Sequence, residues 1–96
     1  MRYTIILAPE AIEDLNELKA NVRAEVKESI GKYLSYEPKK VSKSRIKRLR
    51  GFTRPQYRLR VRDARVFYDV AEETVEVLAI VEKSAADDWL EKHGVS

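Results

Sequence analysis

Apolar residues recur along this chain with two different periods, and the switches between them mark its elements. Tyr3 to Leu7 is β-branched and aromatic, with Tyr3, Ile5 and Leu7 on one face, which predicts a strand. Pro9 suits the first turn of a helix, and Glu10, Glu13 and Asp14 lie near the positive end of its dipole. Ile12, Leu15 and Leu18 keep three-residue spacing and form one apolar stripe through Lys19. Asn21 is a candidate N-cap for a second helix. There Val22, Val26, Ile30, Tyr33 and Leu34 share a face, and Pro38 ends the helix at or before Glu37. Two helices so close in sequence pack as an antiparallel hairpin.

Residues 39–56 form a basic connector in which Arg45 to Arg50 can make a short strand or turn, anchored by Ile46 and Leu49. Gly51 and Pro55 interrupt it, and then the period becomes two. Tyr57, Leu59 and Val61 point one way and Arg58, Arg60 and Arg62 the other, the mark of a half-exposed antiparallel strand. Asp63-Ala64 reads as a tight turn, Arg65 to Val70 as the partner strand, and Glu72-Glu73 as the next turn. Thr74 to Val81 is almost continuously apolar, which predicts a central strand covered on both faces. Ser84 is a candidate N-cap for a short acidic helix, Ala85 to Lys92, carrying Trp89 and Leu90. The order β-α-α-β-β-β-α predicts an α+β fold: a small antiparallel β-sheet with an N-terminal helical hairpin and a short C-terminal helix. Residues 1–96 are read as a single domain.

Composition narrows the chemistry. The chain is 44% hydrophobic and 36% charged, a folded domain with a densely charged surface. It has no cysteine, which excludes a disulfide scaffold, a thiol nucleophile and a thiolate metal site. No apolar run is long enough for a membrane span and the N-terminal apolar stretch is too short for a signal peptide, so a cytoplasmic protein is expected. The net charge of +3 conceals a strong asymmetry. Residues 1–38 carry net −2, residues 66–96 carry net −6, and residues 39–65 carry twelve Lys/Arg against one acid, Asp63, for net +11. Like charges this dense imply an anionic partner, either a polyphosphate or an acidic protein.

Conventional catalytic sets are missing. The single histidine, His93, lies near the C-terminus, no serine has a histidine partner by sequence, and three scattered glycines make no phosphate loop. No metal or cofactor is expected. Asp87 and Asp88 read as acids at a helix N-terminus. What remains is an arginine comb. Side chains on one face of a strand are about 6.6–7 Å apart, near the phosphate spacing of a nucleic-acid strand, so Arg58, Arg60 and Arg62 can each meet a phosphate. Tyr57, Phe67, Tyr68 and Phe52 are placed either to stack on bases or to fill the core. RNA carries its own nucleophile, the 2′-hydroxyl, so cations alone can supply much of what its cleavage needs.

Arg48-Leu49-Arg50-Gly51, Tyr57-Arg58-Leu59-Arg60, Arg65-Val66-Phe67-Tyr68-Asp69-Val70 and Val75-Glu76-Val77-Leu78-Ala79-Ile80 follow one another in an order that resembles the RelE/ParE superfamily of bacterial and archaeal toxins. The strand before Pro9-Glu10-Ala11 fits as well, so the resemblance covers nearly the whole chain. It implies the toxin of a type II toxin–antitoxin pair. RelE-like members cut messenger RNA in the ribosomal A site, and ParE-like members inhibit DNA gyrase. The resemblance implies a metal-independent endoribonuclease, an mRNA interferase, with a cognate antitoxin, the ribosome and mRNA as partners. Arg58 and Arg60 fall where RelE-like enzymes place basic residues, Arg65 on the arginine that contacts the scissile phosphate, and Lys83 where an arginine usually follows the last strand. These four are the expected catalytic residues. Lys43, Arg45, Lys47, Arg48, Arg50 and Arg62 are the expected nucleic-acid contacts. The tyrosine that some members carry on the C-terminal helix has no counterpart, and Trp89 stands in that segment. A gyrase inhibitor and a plain RNA-binding module are the alternatives.

Overall fold

A computed structural model describes residues 1–96. One five-stranded sheet comprises β1 (Thr4–Leu7), β2 (Ile46–Arg48), β3 (Tyr57–Val61), β4 (Ala64–Ala71) and β5 (Thr74–Glu82), in the spatial order β1-β5-β4-β3-β2. Helices α1 (Pro9–Glu17) and α2 (Ala20–Ser29) follow β1, and α3 (Ala86–His93) follows β5. The α+β class, the helical hairpin and the short terminal helix are as expected. Strands β2 to β5 pair antiparallel, while β1 joins β5 in parallel, Thr4 beside Thr74 and Leu7 beside Val77. The sheet is therefore mixed. Short turns force β3, β4 and β5 to alternate direction, whereas β1 reaches the sheet through two helices and a long connector, and its sense is free.

The helical hairpin covers one face, α1 over β5 and α2 over β3. Ala11 and Leu15 from α1 and Val26, Ile30 and Leu34 from the second helix meet Leu59, Val61, Val66, Tyr68, Val75 and Val77. Ile12, expected on the inner stripe, is instead 48% exposed, because Ala11 and Leu15 set the buried face. Beyond Ser29 the helix widens into one π turn, Ile30–Leu34, which keeps Ile30 and Leu34 inward. Asp14 fastens α1 to the sheet: its Oδ2 accepts the Ile80 N–H at 3.0 Å. β1 pairs with β5 only as far as Val77, so Ile80 lies beyond the end of β1, and Asp14 serves this strand N–H instead.

Three local expectations change. Lys19, not Asn21, takes the N-cap position of α2, and Asn21 lies inside the first turn. Ser84 sits in a single 3-10 turn, Lys83–Ala85, so α3 begins at Ala86. The β3–β4 turn is Arg62-Asp63, one residue earlier than Asp63-Ala64, because Ala64 pairs with Val61. Arg62 adopts a φ of 53°, a conformation left-handed turns usually give to glycine or asparagine.

The other sheet face carries Arg58, Arg60, Arg65 and Phe67, and α3 lies across part of it. Trp89 stacks on Phe67 with ring centroids 4.9 Å apart. The tail behind α3 is tied to the β2–β3 connector: Thr53 N–H donates to Val95 O at 2.6 Å and Val95 N–H to Arg54 O at 2.8 Å. Gly94 is required there, since a Cβ would collide with the Phe52 ring and the Leu90 carbonyl.

Candidate nucleic-acid interface

The alternation of β3 sends Arg58 and Arg60 away from the core, and the antiparallel register places Phe67 opposite Arg58 and Arg65 opposite Arg60. Arg65 is only 6% exposed. Its Nη1 donates to the carbonyls of Arg62 at 2.8 Å and Ala64 at 3.0 Å, so the turn it follows holds the guanidinium in place. Arg58 is half-buried, and its Nε is shut off from solvent with no hydrogen-bond acceptor. An unpaired cationic donor costs stability, and Arg58 Nε is the one buried side-chain polar atom of the chain without a partner. Burial, then the nearby Arg60 charge, holds the Arg58 pKa below its ordinary value. Burial, with Arg58 and Arg60, does the same to Arg65, partly opposed by Asp63.

These arginines open into a groove of about 290 Å³. Lys47 of β2, Arg58 of β3, Arg65 of β4 and Lys83 after β5 supply four cations from four chain segments. Asp87 of α3 is the lone acid, and Leu49, Phe67, Ala86 and Leu90 complete the lining. The chain's ion pairs join Lys40 to Glu37, Arg54 to Asp69 and Glu76, and Arg62 to Glu25, and none involves a groove residue. The cations are therefore in excess and unpaired, and convergent unpaired cations around a small hollow suit a phosphodiester.

Of the expected catalytic residues, Arg58, Arg65 and Lys83 meet in this groove, joined by Lys47 from the expected contact set. Arg60 flanks it but opens toward a second hollow shared with Arg45, Tyr33, Glu25 and Arg62. Arg62 is not free: its Nε donates to both Glu25 carboxylate oxygens, at 2.7 and 2.8 Å. Arg48 donates to Gln56 O at 2.7 Å, and Arg45 lies 4.1 Å above the Tyr33 ring. Lys43 and Arg50 are exposed on the connector. The candidate stacking aromatics are occupied. Tyr57 and Tyr68 stack on each other at 5.5 Å, Phe67 lies under Trp89, and Phe52 abuts Gly94. Two participants escaped the reading of the chain. Glu25 could not be matched to Arg62 across 37 residues, and Asp87 looked like a helix-terminal acid, although its position four residues after Lys83 hinted at a shared face.

The fold and this groove define a small α+β domain with a cationic cleft on one sheet face. The family model for the ParE toxin of the type II toxin–antitoxin system, parDE, matches residues 5–87. The chain therefore belongs to that family, within the RelE/ParE superfamily, and is a toxin of a type II toxin–antitoxin system. Among solved structures it is similar to the Mycobacterium tuberculosis RelBE2 toxin–antitoxin complex, at 26% identity and TM-score 0.71, over 85% of this chain and 99% of that one. A mutant of E. coli toxin RelE in the free state gives 21% identity and TM-score 0.74, over 95% and 94% of the two chains. The archaeal RelE–RelB complex from Pyrococcus horikoshii OT3 gives 24% and 0.70, over 86% and 97%. The last two show likeness of fold alone. No curated protein matches the chain. No helix is long and apolar enough to cross a membrane.

Proposed function

We propose that this toxin is a metal-independent endoribonuclease that cuts messenger RNA on the ribosome, acting in the cytoplasm and held in check by a cognate antitoxin. The carrying observation is the convergence of Lys47, Arg58, Arg65 and Lys83 on one groove, four cations against the single acid Asp87 and none of them in an ion pair. Arg58 and Arg65 bind the scissile phosphate and stabilise the charge that grows on it when the 2′-oxygen attacks. Lys47 and Lys83 flank the phosphate, and Arg60 adds to the field from the adjacent hollow. The exposed Lys43, Arg45, Arg48 and Arg50 extend this field along the connector and draw the protein to ribosomal RNA. The antitoxin is inferred from the toxin–antitoxin complexes among the similar structures.

Primer extension on programmed ribosomes tests the reading. Wild-type protein is expected to cut within the A-site codon. Arg58→Ala, which removes one donor to the developing charge, is expected to be slower by about 10²–10³-fold. Absence of cutting by the wild type would refute it. The match to the ParE family favours a second reading, inhibition of DNA gyrase by protein contact. Blocked supercoiling by the pure protein, with messenger RNA left intact, would establish that alternative.

A further inference from the structure

The groove holds one group unlike the rest. Lys47, Arg58, Arg65 and Lys83 can only donate hydrogen bonds at neutral pH, whereas the carboxylate of Asp87 accepts. Asp87 is exposed and belongs to no ion pair, despite four cations around the same hollow. Asp88, next to it in the first turn of α3, does not line the groove. A helix-dipole role is common to both acids and does not account for the placement of one of them among the cations. The single imidazole, His93, packs against Trp89 at 5.4 Å and lies outside the lining.

We infer that Asp87 is the general base of the groove, the group that takes the proton from the attacking 2′-hydroxyl of RNA. The inference rests on the endoribonuclease reading above. The Asp87 carboxylate accepts the hydroxyl proton as the 2′-oxygen bonds to the adjacent phosphorus. The bond from phosphorus to the 5′-oxygen breaks, and the leaving oxygen takes a proton from the Lys83 ammonium. The products are a 2′,3′-cyclic phosphate and a 5′-hydroxyl end. Asp87 then returns its proton to Lys83 through solvent, and both groups regain their starting charge. Four cations against one carboxylate and one phosphodiester leave positive charge in surplus for the dianionic phosphorane. That surplus lets a carboxylate work beside an anionic substrate.

The test compares Asp87→Asn, Asp87→Glu and Asp88→Asn with wild type on programmed ribosomes. It follows single-turnover cleavage against pH and, separately, binding of messenger RNA made uncleavable by a 2′-O-methyl group at the cut site. Asp87 shares its surroundings with Lys47, Arg58, Arg65 and Lys83 and, across a neighbouring hollow, with Asp63 and Glu82. Asp87→Asn is expected to slow cleavage by about 10²–10⁴-fold and to abolish the rise of rate with pH on the acid side, while binding the methylated RNA as tightly as wild type. Asp87→Glu should recover part of the rate, and Asp88→Asn should cleave like wild type. Cleavage by Asp87→Asn at the wild-type rate or faster, or an equal loss in Asp88→Asn, overturns the inference. A wild-type protein that cuts no RNA removes the endoribonuclease reading itself and this inference with it.

Discussion

Trp89 lies flat on Phe67, with ring centroids 4.9 Å apart and planes 6° from parallel, and this contact docks α3 on the cationic face of the sheet. Trp89 is the only tryptophan, so its fluorescence reports that docking directly. Phe67→Ala removes a fully buried ring and is expected to destabilise the protein by about 3–5 kcal/mol. The emission of Trp89 should shift to longer wavelength in the native protein as its stacking partner is lost.

The tail gives an independent handle on the same helix. Gly94→Ala puts a methyl group into the Phe52 ring and the Leu90 carbonyl. Amide exchange across α3 and at Val95 is expected to accelerate, with exchange at the centre of β4 little changed, because the tail opens without the core.

Tyr68 shows how burial sets a titration. Its hydroxyl donates to Pro38 O at 2.6 Å inside the core, and burial, reinforced by Tyr57, pushes its pKa well above that of an exposed phenol. The folded state thus favours the neutral phenol. That contribution is complete below about pH 10 and falls away as the pH rises further, by about 1.4 kcal/mol per unit. Tyr68→Phe should flatten this alkaline limb of the stability curve. At neutral pH the variant should lose about 1–3 kcal/mol, from the carbonyl left unpaired in the core. Urea unfolding between pH 7 and 11 measures both effects.

Asp69 is shifted in the same sense, but its effect falls in the acid range. Burial raises its pKa, outweighing the Gln56 N–H at 2.8 Å and the Arg54 guanidinium at 3.5 Å. The fold favours the neutral acid, so what Asp69 contributes is complete below about pH 4 and declines as the pH rises through the folded value. Carbon-detected NMR titration should show Asp69 ionising above the normal carboxylate range. Asp69→Asn keeps an acceptor for Gln56 and should change neutral-pH stability by less than about 1 kcal/mol.

The two fates of the arginine comb separate by salt. Arg58 is unpaired in the groove, whereas Arg62 is clasped by Glu25. Binding of single-stranded RNA, measured across a salt series, should lose about 0.7 from its logarithmic slope in Arg58→Gln, the value of one phosphate contact. Arg62→Gln should leave the slope near that of wild type.

The amino-acid sequence by itself determined the element order apart from β2, which it left as a short strand or a turn, together with the helical hairpin and the inward and outward faces of β3. These follow from local periodicity, since a two-residue or near-four-residue repeat is visible in a single stretch of chain. It also located the basic segment, whose charges are contiguous in the sequence. It could not determine the parallel sense of β1, because a long connection leaves direction to packing. Nor could it show that Arg62 is held by Glu25, that Phe67 lies beneath Trp89, or that Asp87 shares a hollow with Lys47 and Arg58. Each of these joins residues far apart in the chain. Only the assembled sheet brings four cations and one carboxylate, drawn from β2, β3, β4 and the segment after β5, to one groove, because side-chain convergence depends on register and crossover rather than on local propensity.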